Sequence, residues 1–400
     1  MTTPNNNHDS DFPWHLGVHD AHCHPTDTMT SIASIPDMKA ASLTVMSTRG
    51  QDQDLVLQIA QSISPHNPDA DTQGTPPKVL PCFGWHPWFA HQIYDDTKTN
   101  NTTTDPDLKT THYTQVLTPA PTSPQFIASL PDPKPLSQLL SETRTRLTSH
   151  PTSLIGEIGL DRSFRLPNPW TAEEEAARDP HTTPGSREGR TLSPHRVQME
   201  HQKVVLEAQL RLAGELGRPV SVHSVQAHGL VVTLLRGLWA GYERKRPSRR
   251  ERRRRYSAAD AHAESDAGEE QEDGQGEEGQ HAQTGETHPL LPFPPRICMH
   301  SYSGPTEPLK QFLDPTNPSD VYFSFSAVIN FSGPSSAKVI AVIKALPDDR
   351  ILVESDLHTA GPQMDELLEK VTRQVCKLRE WPLEEGVRRL AGNWRRFVYG

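Results

Sequence analysis

The stretch LGVHDAHCHPTD, residues 16–27, sets the reading of the whole chain. A short apolar run leads into Asp20, His22 and His24 at alternating positions. Alternate side chains of a β-strand share a face, so His22 and His24 aim two imidazoles at one place. Neutral imidazoles presented together suit a transition metal. The competing reading is a strand that merely ends in a polar loop, and these residues by themselves leave both open.

Seven further runs repeat the form, each apolar and each followed by polar residues. They are SLTVMST (42–48), KVLPCFGWHP (78–87), SLIGEIGLD (153–161), RPVSVHSV (218–225), RICMHSYSG (296–304), VYFSFSA (321–327) and RILVESD (350–356). Helical patterns lie between many of them: QDLVLQIAQSI within 51–63, PLSQLLSETRTRL (135–147) and AHGLVVTLLRGLWAGY (227–242). The longest spans 195–217, with Gly217 as its C-cap. SSAKVIAVIKAL (335–346) and a C-terminal pair from Gln363 to Phe397 complete the set. Strands alternating with helices predict a parallel sheet, and eight is the number that closes a (β/α)8 TIM barrel. An open doubly wound sheet is the alternative. The first strand lacks a following GxGxxG turn, which weakens its dinucleotide-binding form.

The 400 residues read as one barrel domain with insertions. Hydrophobic residues make up only 34% and there are 37 prolines, so part of the chain lies outside a packed core. Segments 95–133 and 164–194 are polar and Pro-rich, and 243–290 is the most biased. There, nine Lys or Arg fall between 244 and 255, ahead of the acidic tract DAGEEQEDGQGEEGQ. All three segments are expected to be flexible or disordered. The basic block suits nuclear import, nucleic acid or a protein partner; a solvated loop is the plain alternative. A net charge of −10 offers no global attraction for nucleic acid. Four scattered cysteines without CxxC spacing, no apolar run of membrane length and a polar N-terminus predict a cytoplasmic or nuclear protein with no membrane segment.

Barrel enzymes keep their chemistry at the C-terminal ends of the strands. Those ends carry His22 and His24, His86 in GWHPW, Glu157 in GEIGLD, His223, His300 and Asp356. A lone strand-end His is most often structural. Four histidines and two carboxylates gathered from five strands instead make a mixed nitrogen and oxygen ligand set suited to Zn²⁺, Mn²⁺ or Fe²⁺. The set suffices for two ions sharing one carboxylate, an arrangement that can clamp both oxygens of a displacement.

DAHCH, GWHP, GEIGLD, HS after RPVSV, HSYSG and ESD, in this order, resemble the TatD-type metal-dependent hydrolases of the amidohydrolase superfamily. The closing GNWRRFVY is similar to the family's terminal segment, and DAHCHPTD with long loops resembles its eukaryotic, Cut9-interacting-protein-like branch. The resemblance covers nearly all of the chain outside the insertions. It implies one or two divalent ions, Zn, Mn, Mg or Fe. His22 and His24 would hold the first, Glu157 would bridge, and His223 and His300 would hold the second. Asp356 would bind the first ion and act on the nucleophilic water, so Asp356 and Glu157 carry the catalytic roles. His86 sits where the family keeps a substrate-side His, with a buried structural His as the alternative. Asp20, Asp161 and Glu354 would support the ligands.

The implied activity is cleavage of DNA phosphodiesters, with DNA ends as substrate. One departure bears on it. Many family nucleases have Arg after the fifth-strand HS, whereas this chain has Val225; Arg162, Arg165 or the basic block of 243–290 are the candidates to replace it as a phosphate partner. Two alternatives therefore stand beside the nuclease: a hydrolase of another ester or an amide, and a non-catalytic partner of cell-cycle machinery that binds through 243–290.

Overall fold

The computed structural model describes residues 11–64, 76–97, 107–246, 290–333 and 336–400. All eight expected strands form: β1 (His19–Cys23), β2 (Ser42–Met46), β3 (Val79–Cys82), β4 (Ile155–Asp161), β5 (Val220–Val225), β6 (Arg296–Met299), β7 (Asp320–Phe325) and β8 (Ile351–Val353). Nearly every residue in them is buried, which is why they read as unbroken apolar runs: parallel strands are covered on both faces. β1–β3 form one parallel sheet, and β4–β8 form another in sequence order.

The two ladders meet at two seams. At the first, the Phe83 amide donates to the Leu154 carbonyl (3.0 Å) and the Gly156 amide to the Phe83 carbonyl (3.2 Å). At the second, the Asp356 amide donates to the His22 carbonyl (3.0 Å) and the His24 amide to the Leu357 carbonyl (2.8 Å). Isolated backbone bonds thus carry the order β1 to β8 around a ring, as in a TIM barrel.

Helices follow the strands: α1 (Gln53–Ile63), α2 (Leu108–Val116), α3 (Pro124–Ser129), α4 (Leu136–Ser149), α5 (Met199–Glu215), α6 (His228–Trp239), α7 (Ser336–Ala345), α8 (Pro362–Arg379) and α9 (Leu383–Val398). The main core lies between the strands and this layer. A separate buried cluster takes Ala21, Met46, Leu80, Cys298, Tyr322 and Leu352 from the strands and closes over them with Trp394, Phe397 and Val398 of α9. Trp394 Nε1 donates to Thr44 Oγ1, and the Asn393 amide donates to the Ile351 carbonyl. α9 therefore seals the end of the strands opposite Asp356, and the other end is left for chemistry.

Two of the three insertions differ from the sequence reading. Segment 95–133 holds α2 and α3 among its described residues, and Leu117–Thr118 pairs antiparallel with Arg196–Val197. Tyr113, Val116, Phe126 and Ile127 bury with Trp85, Phe89 and Ile93 as a satellite core. Composition concealed this because a few large side chains, thinly spaced among Thr, Pro and Asp, are enough to anchor two short helices. Segment 164–194 has little regular structure but is tied down: Leu166 is buried, the Thr183 amide donates to the Asp27 carbonyl, and Thr171 with Glu174 forms a capping box. Most of 243–290 lies outside the described residues.

The satellite core buries His91 and His112, whose pKa values fall to about 3 and about 4, first through desolvation and, for His91, through neighbouring His112. Lowered folded-state values mean stability present above the ordinary imidazole pKa and lost as pH drops through the window from about 6.5 toward 4. Amides of α2 are expected to lose hydrogen-exchange protection over that window, and His112→Gln should flatten the loss. An unchanged protection profile between pH 7 and 5 would contradict this.

Candidate metal centre

Glu157 is the middle of the site. It follows Gly156 on β4, and the next turn of chain needs Gly159: at φ +154° a side chain there would overlap the His223 carbonyl of β5. The GEIG pattern thus lets β4 and β5 approach closely enough to bring Glu157 against His223. Five imidazole nitrogens surround its carboxylate. Oε1 lies 2.7 Å from His300 Nε2, 2.8 Å from His223 Nδ1 and 3.1 Å from His86 Nε2. Oε2 lies 3.3 Å from His24 Nε2 and 3.4 Å from His22 Nε2. Asp356 Oδ1 completes the set, 3.6 Å from His24 Nε2 and 3.9 Å from His22 Nε2. All six residues proposed as ligands from the sequence therefore converge, and His86 joins them.

Most of these rings are held from behind. Ser221 Oγ meets His22 Nδ1 at 2.8 Å, and Asp161 Oδ2 meets His223 Nε2 at 3.1 Å. The Trp88 amide donates to His86 Nδ1 (3.2 Å), which directs Nε2 to Glu157. His86 is thus buried and turned onto the central carboxylate. Glu354 is 3.7 Å from His300 Nδ1, beyond hydrogen-bond range, and accepts instead from the amide and hydroxyl of Ser301. Asp20 does not touch the imidazoles. Its Oδ1 accepts the amides of His22 and Ser355, each 3.0 Å away, and so ties the end of β1 to that of β8. Asp161 alone of the three expected supports bonds a ligand ring directly.

Sequence reading missed further contributors. Gln209 of α5 clamps the Trp85 peptide, accepting from its amide and donating to its carbonyl, and Gln202 does the same for Asp161. These two glutamines sit seven residues apart in an apolar stripe, which is the signal that could have revealed them. Arg49, after β2, is buried and spans Asp27 (2.7 Å), Asp52 (3.2 Å) and the carbonyls of Thr183 and Pro184. It binds segment 164–194 to the rim beside the site.

Burial opposes charge on every one of these groups, and their charged neighbours counter it at several. Glu157 would be raised by desolvation, but the surrounding histidines, His86 and His300 foremost, hold it well below the usual carboxylate range. Desolvation is likewise overcome at His24, where Asp356 and Glu157 lift the imidazole to about 10, and at His300, raised well above normal chiefly by Glu157. His22 goes the other way, lowered by burial and by His300. Asp356 is held low by its hydrogen bond to His24 despite burial.

This donor set fits divalent ions. His22 Nε2 and His24 Nε2 face one another at 3.0 Å, an approach of two lone-pair sites that needs a proton or a cation between them. His22, His24 and Glu157 form one group with donor atoms within 4.8 Å of each other, and His86, Glu157 and His223 form another. Glu157 belongs to both, as a carboxylate shared by two ions would. A third group joins His22, His300 and Glu354. The backbone at the strand ends is equally specialised: Ser301 (φ 39°) and Asp356 (φ 54°) occupy the left-handed region, a cost accepted where a site must be aimed.

A ring of parallel strands with histidines and carboxylates at the C-terminal ends of its strands is the architecture of a hydrolase barrel. The family model described as TatD related DNase matches residues 19–399, and the chain belongs to that family. It is 37% identical to Cut9-interacting protein scn1 of Schizosaccharomyces pombe over 380 residues, 95% of this chain and 98% of that protein. An uncharacterized deoxyribonuclease of Saccharomyces cerevisiae is 25% identical over 79% of this chain and 80% of its own. Among solved structures, an uncharacterized amidohydrolase from Saccharomyces cerevisiae superposes with TM-score 0.53 at 14% identity, covering 96% of this chain and 99% of its own. The Escherichia coli TatD homologue YJJV gives 0.50 at 16%, covering 96% and 98%. At such identities the two structures support the fold alone. Among the described residues no helix is long and apolar enough to cross a membrane.

Proposed function

We propose that this chain is a metal-dependent phosphodiesterase that cleaves DNA. One observation carries the reading: a single buried carboxylate, Glu157, lies within 3.4 Å of five imidazole nitrogens drawn from four strand ends. His22, His24, Glu157 and Asp356 would hold one ion; Glu157, His223 and His300 would hold a second. Bound there, divalent ions would lower the pKa of a water molecule and neutralise charge developing on a phosphoryl group.

The chain's own residues then have separate tasks. Asp356, ionised and more open than Glu157, accepts the proton of the attacking water as its oxygen bonds to phosphorus. The ester P–O bond breaks, and the departing oxygen takes a proton from solvent. Asp161 keeps His223 in one orientation, and His86 fixes Glu157 so that neither rotates during the displacement. Arg162 and Arg165, exposed just past β4, stand in for the arginine that Val225 replaces.

The likeness to scn1 over nearly the full chain supports a second property, binding of a protein partner, with the charged segment 243–290 as the candidate contact. It does not compete with catalysis, because the complete donor set has no use in a scaffold. The test is direct. Protein purified without chelator is expected to hold one to two equivalents of Zn, Mn or Fe and to degrade oligodeoxynucleotides, with both properties lost on chelation and restored by added metal. Metal-loaded protein that leaves DNA intact but hydrolyses carboxylic esters or amides would overturn the nuclease reading.

A further inference from the structure

One helix grips the backbone on one side of the metal centre. α5 (Met199–Glu215) buries the side chains of Gln202 and Gln209, where an amide is costly unless its hydrogen bonds are made. Both are paired, and to backbone. Gln202 Oε1 accepts the Asp161 amide at 2.8 Å, and Nε2 donates to the carbonyls of Asp161 (2.9 Å) and Val197 (3.1 Å). Gln209 Oε1 accepts the Trp85 amide at 2.8 Å, and Nε2 donates to the carbonyls of Trp85 (3.1 Å) and Val205 (3.3 Å). Each glutamine thus holds the N–H and C=O of a single residue, as a neighbouring strand would. Trp85 lies past the end of β3 and Asp161 is the last residue of β4, where the sheet offers the backbone fewer partners. A seven-residue spacing is two helical turns, so one face of α5 reaches both strand ends from points about 10 Å apart along its axis.

What the grips position is specific. Asp161 Oδ2 lies 3.1 Å from His223 Nε2 and also accepts from Trp88 Nε1 at 2.6 Å, which ties the two gripped segments together. Trp85 precedes His86, and His201 of α5 meets the Ala90 carbonyl at 2.9 Å, so the turn carrying His86 is held on both sides. His86 Nε2 and His223 Nδ1 then converge on one oxygen of Glu157, Oε1, at 3.1 and 2.8 Å. The other oxygen, Oε2, faces His22 and His24. Those two residues take support from elsewhere: Ser221 of β5 behind the His22 ring, Asp20 on the His22 amide, and the Leu357 carbonyl on the His24 amide. The grip of α5 therefore falls on the half of the site that joins Glu157 to His223.

We infer that Gln202 and Gln209 are positioning residues for the second ion and not for the first. Gln202 acts through Asp161 on His223. Gln209 acts through the Trp85 peptide on His86, and so on Glu157 Oε1. The inference rests on the two-ion reading and divides the site: one ion is scaffolded by α5, the other by the seam between β1 and β8. Contacts behind a ligand change metal affinity by about 10–100-fold, so losing one grip should be visible at one ion and silent at the other.

The test titrates Zn²⁺ into the full chain stripped of metal, by calorimetry, so that the first and second equivalents are read separately. Gln202→Met and Gln209→Met keep an unbranched side chain of similar length and remove the amide. Each is expected to weaken the second equivalent about 10–100-fold and leave the first unchanged. Asn393→Leu controls for a merely structural loss. It removes a buried amide that donates to the Asp348 and Ile351 carbonyls at the sealed end, 2.7 and 2.8 Å away, and should lower the melting temperature without moving either equivalent. Circular dichroism checks folding, and the two glutamine variants grip different strands, so either one carries the test alone.

Two wild-type equivalents with the second unmoved in the glutamine variants, or with both equivalents weakened alike, would overturn the division while leaving the two-ion site in place. A second equivalent weakened as much by Asn393→Leu would overturn it as well. A single equivalent in the wild type would overturn the two-ion reading and the inference with it.

Discussion

Glu157→Gln is expected to cost the protein both its metal and its activity, with DNA cleavage falling about a thousandfold or more, the scale seen when a central electrostatic contributor is removed. The substitution changes almost no volume but removes the negative charge around which five imidazoles are arranged. It also points an amide N–H₂ at ring nitrogens that now meet an acceptor. Since Glu157 belongs to two of the three possible donor groups, both ions should suffer. The fold should persist, because the barrel's packing is carried by apolar clusters that do not include Glu157. Elemental analysis, a cleavage assay and circular dichroism on the same preparation check all three parts. Full metal occupancy with activity within tenfold of the wild type would remove Glu157 from the centre of the site.

Asp356→Asn should separate chemistry from metal retention. Asp356 sits at the edge of the donor set, farther from His22 and His24 than Glu157 is. Asn keeps the shape and, unlike most residues, tolerates the left-handed backbone at φ 54°. It cannot take a proton from water. Loss of a general base lowers rate by about 10²–10⁴-fold, so kcat should fall by that order while KM and metal content change far less. A fall confined to KM, or loss of metal as complete as in Glu157→Gln, would mean that Asp356 is only a ligand.

The barrel was legible because each strand is buried on both faces and so announces itself as an apolar run, and because the polar residues that end those runs all fall at one end of the ring. His22, His24, Glu157, His223, His300 and Asp356 could be gathered on that argument, and the structure brings them together. What escaped were polar contacts whose partners lie far away in the chain. Gln202 and Gln209 look like interruptions of a helix stripe until their amides are seen gripping the backbones that carry Asp161 and Trp85. Arg49 looks like a surface residue after a strand, yet it is buried among two carboxylates and two carbonyls supplied from more than 130 positions away as well as from nearby. Segments 95–133 and 164–194 escaped for the opposite reason. Average polarity hid the few anchors, Tyr113, Phe126 and Leu166 among them, that hold them to the barrel. The sequence left two roles open for His86, because only its contact with the Trp88 amide decides which way the ring faces.

The seal formed by α9 has a consequence for how the protein is made. Trp394 hydrogen-bonds Thr44, 350 positions earlier, and its cluster takes residues from strands at both ends of the chain. At synthesis rates of about 5–20 residues per second, β2 waits roughly 20–70 seconds for that partner. During this interval the strands that α9 will cover present Ala21, Met46 and Leu80 to the cell as an open apolar surface. A chain truncated before residue 383 is therefore expected to build most of its secondary structure but to leave that surface uncovered.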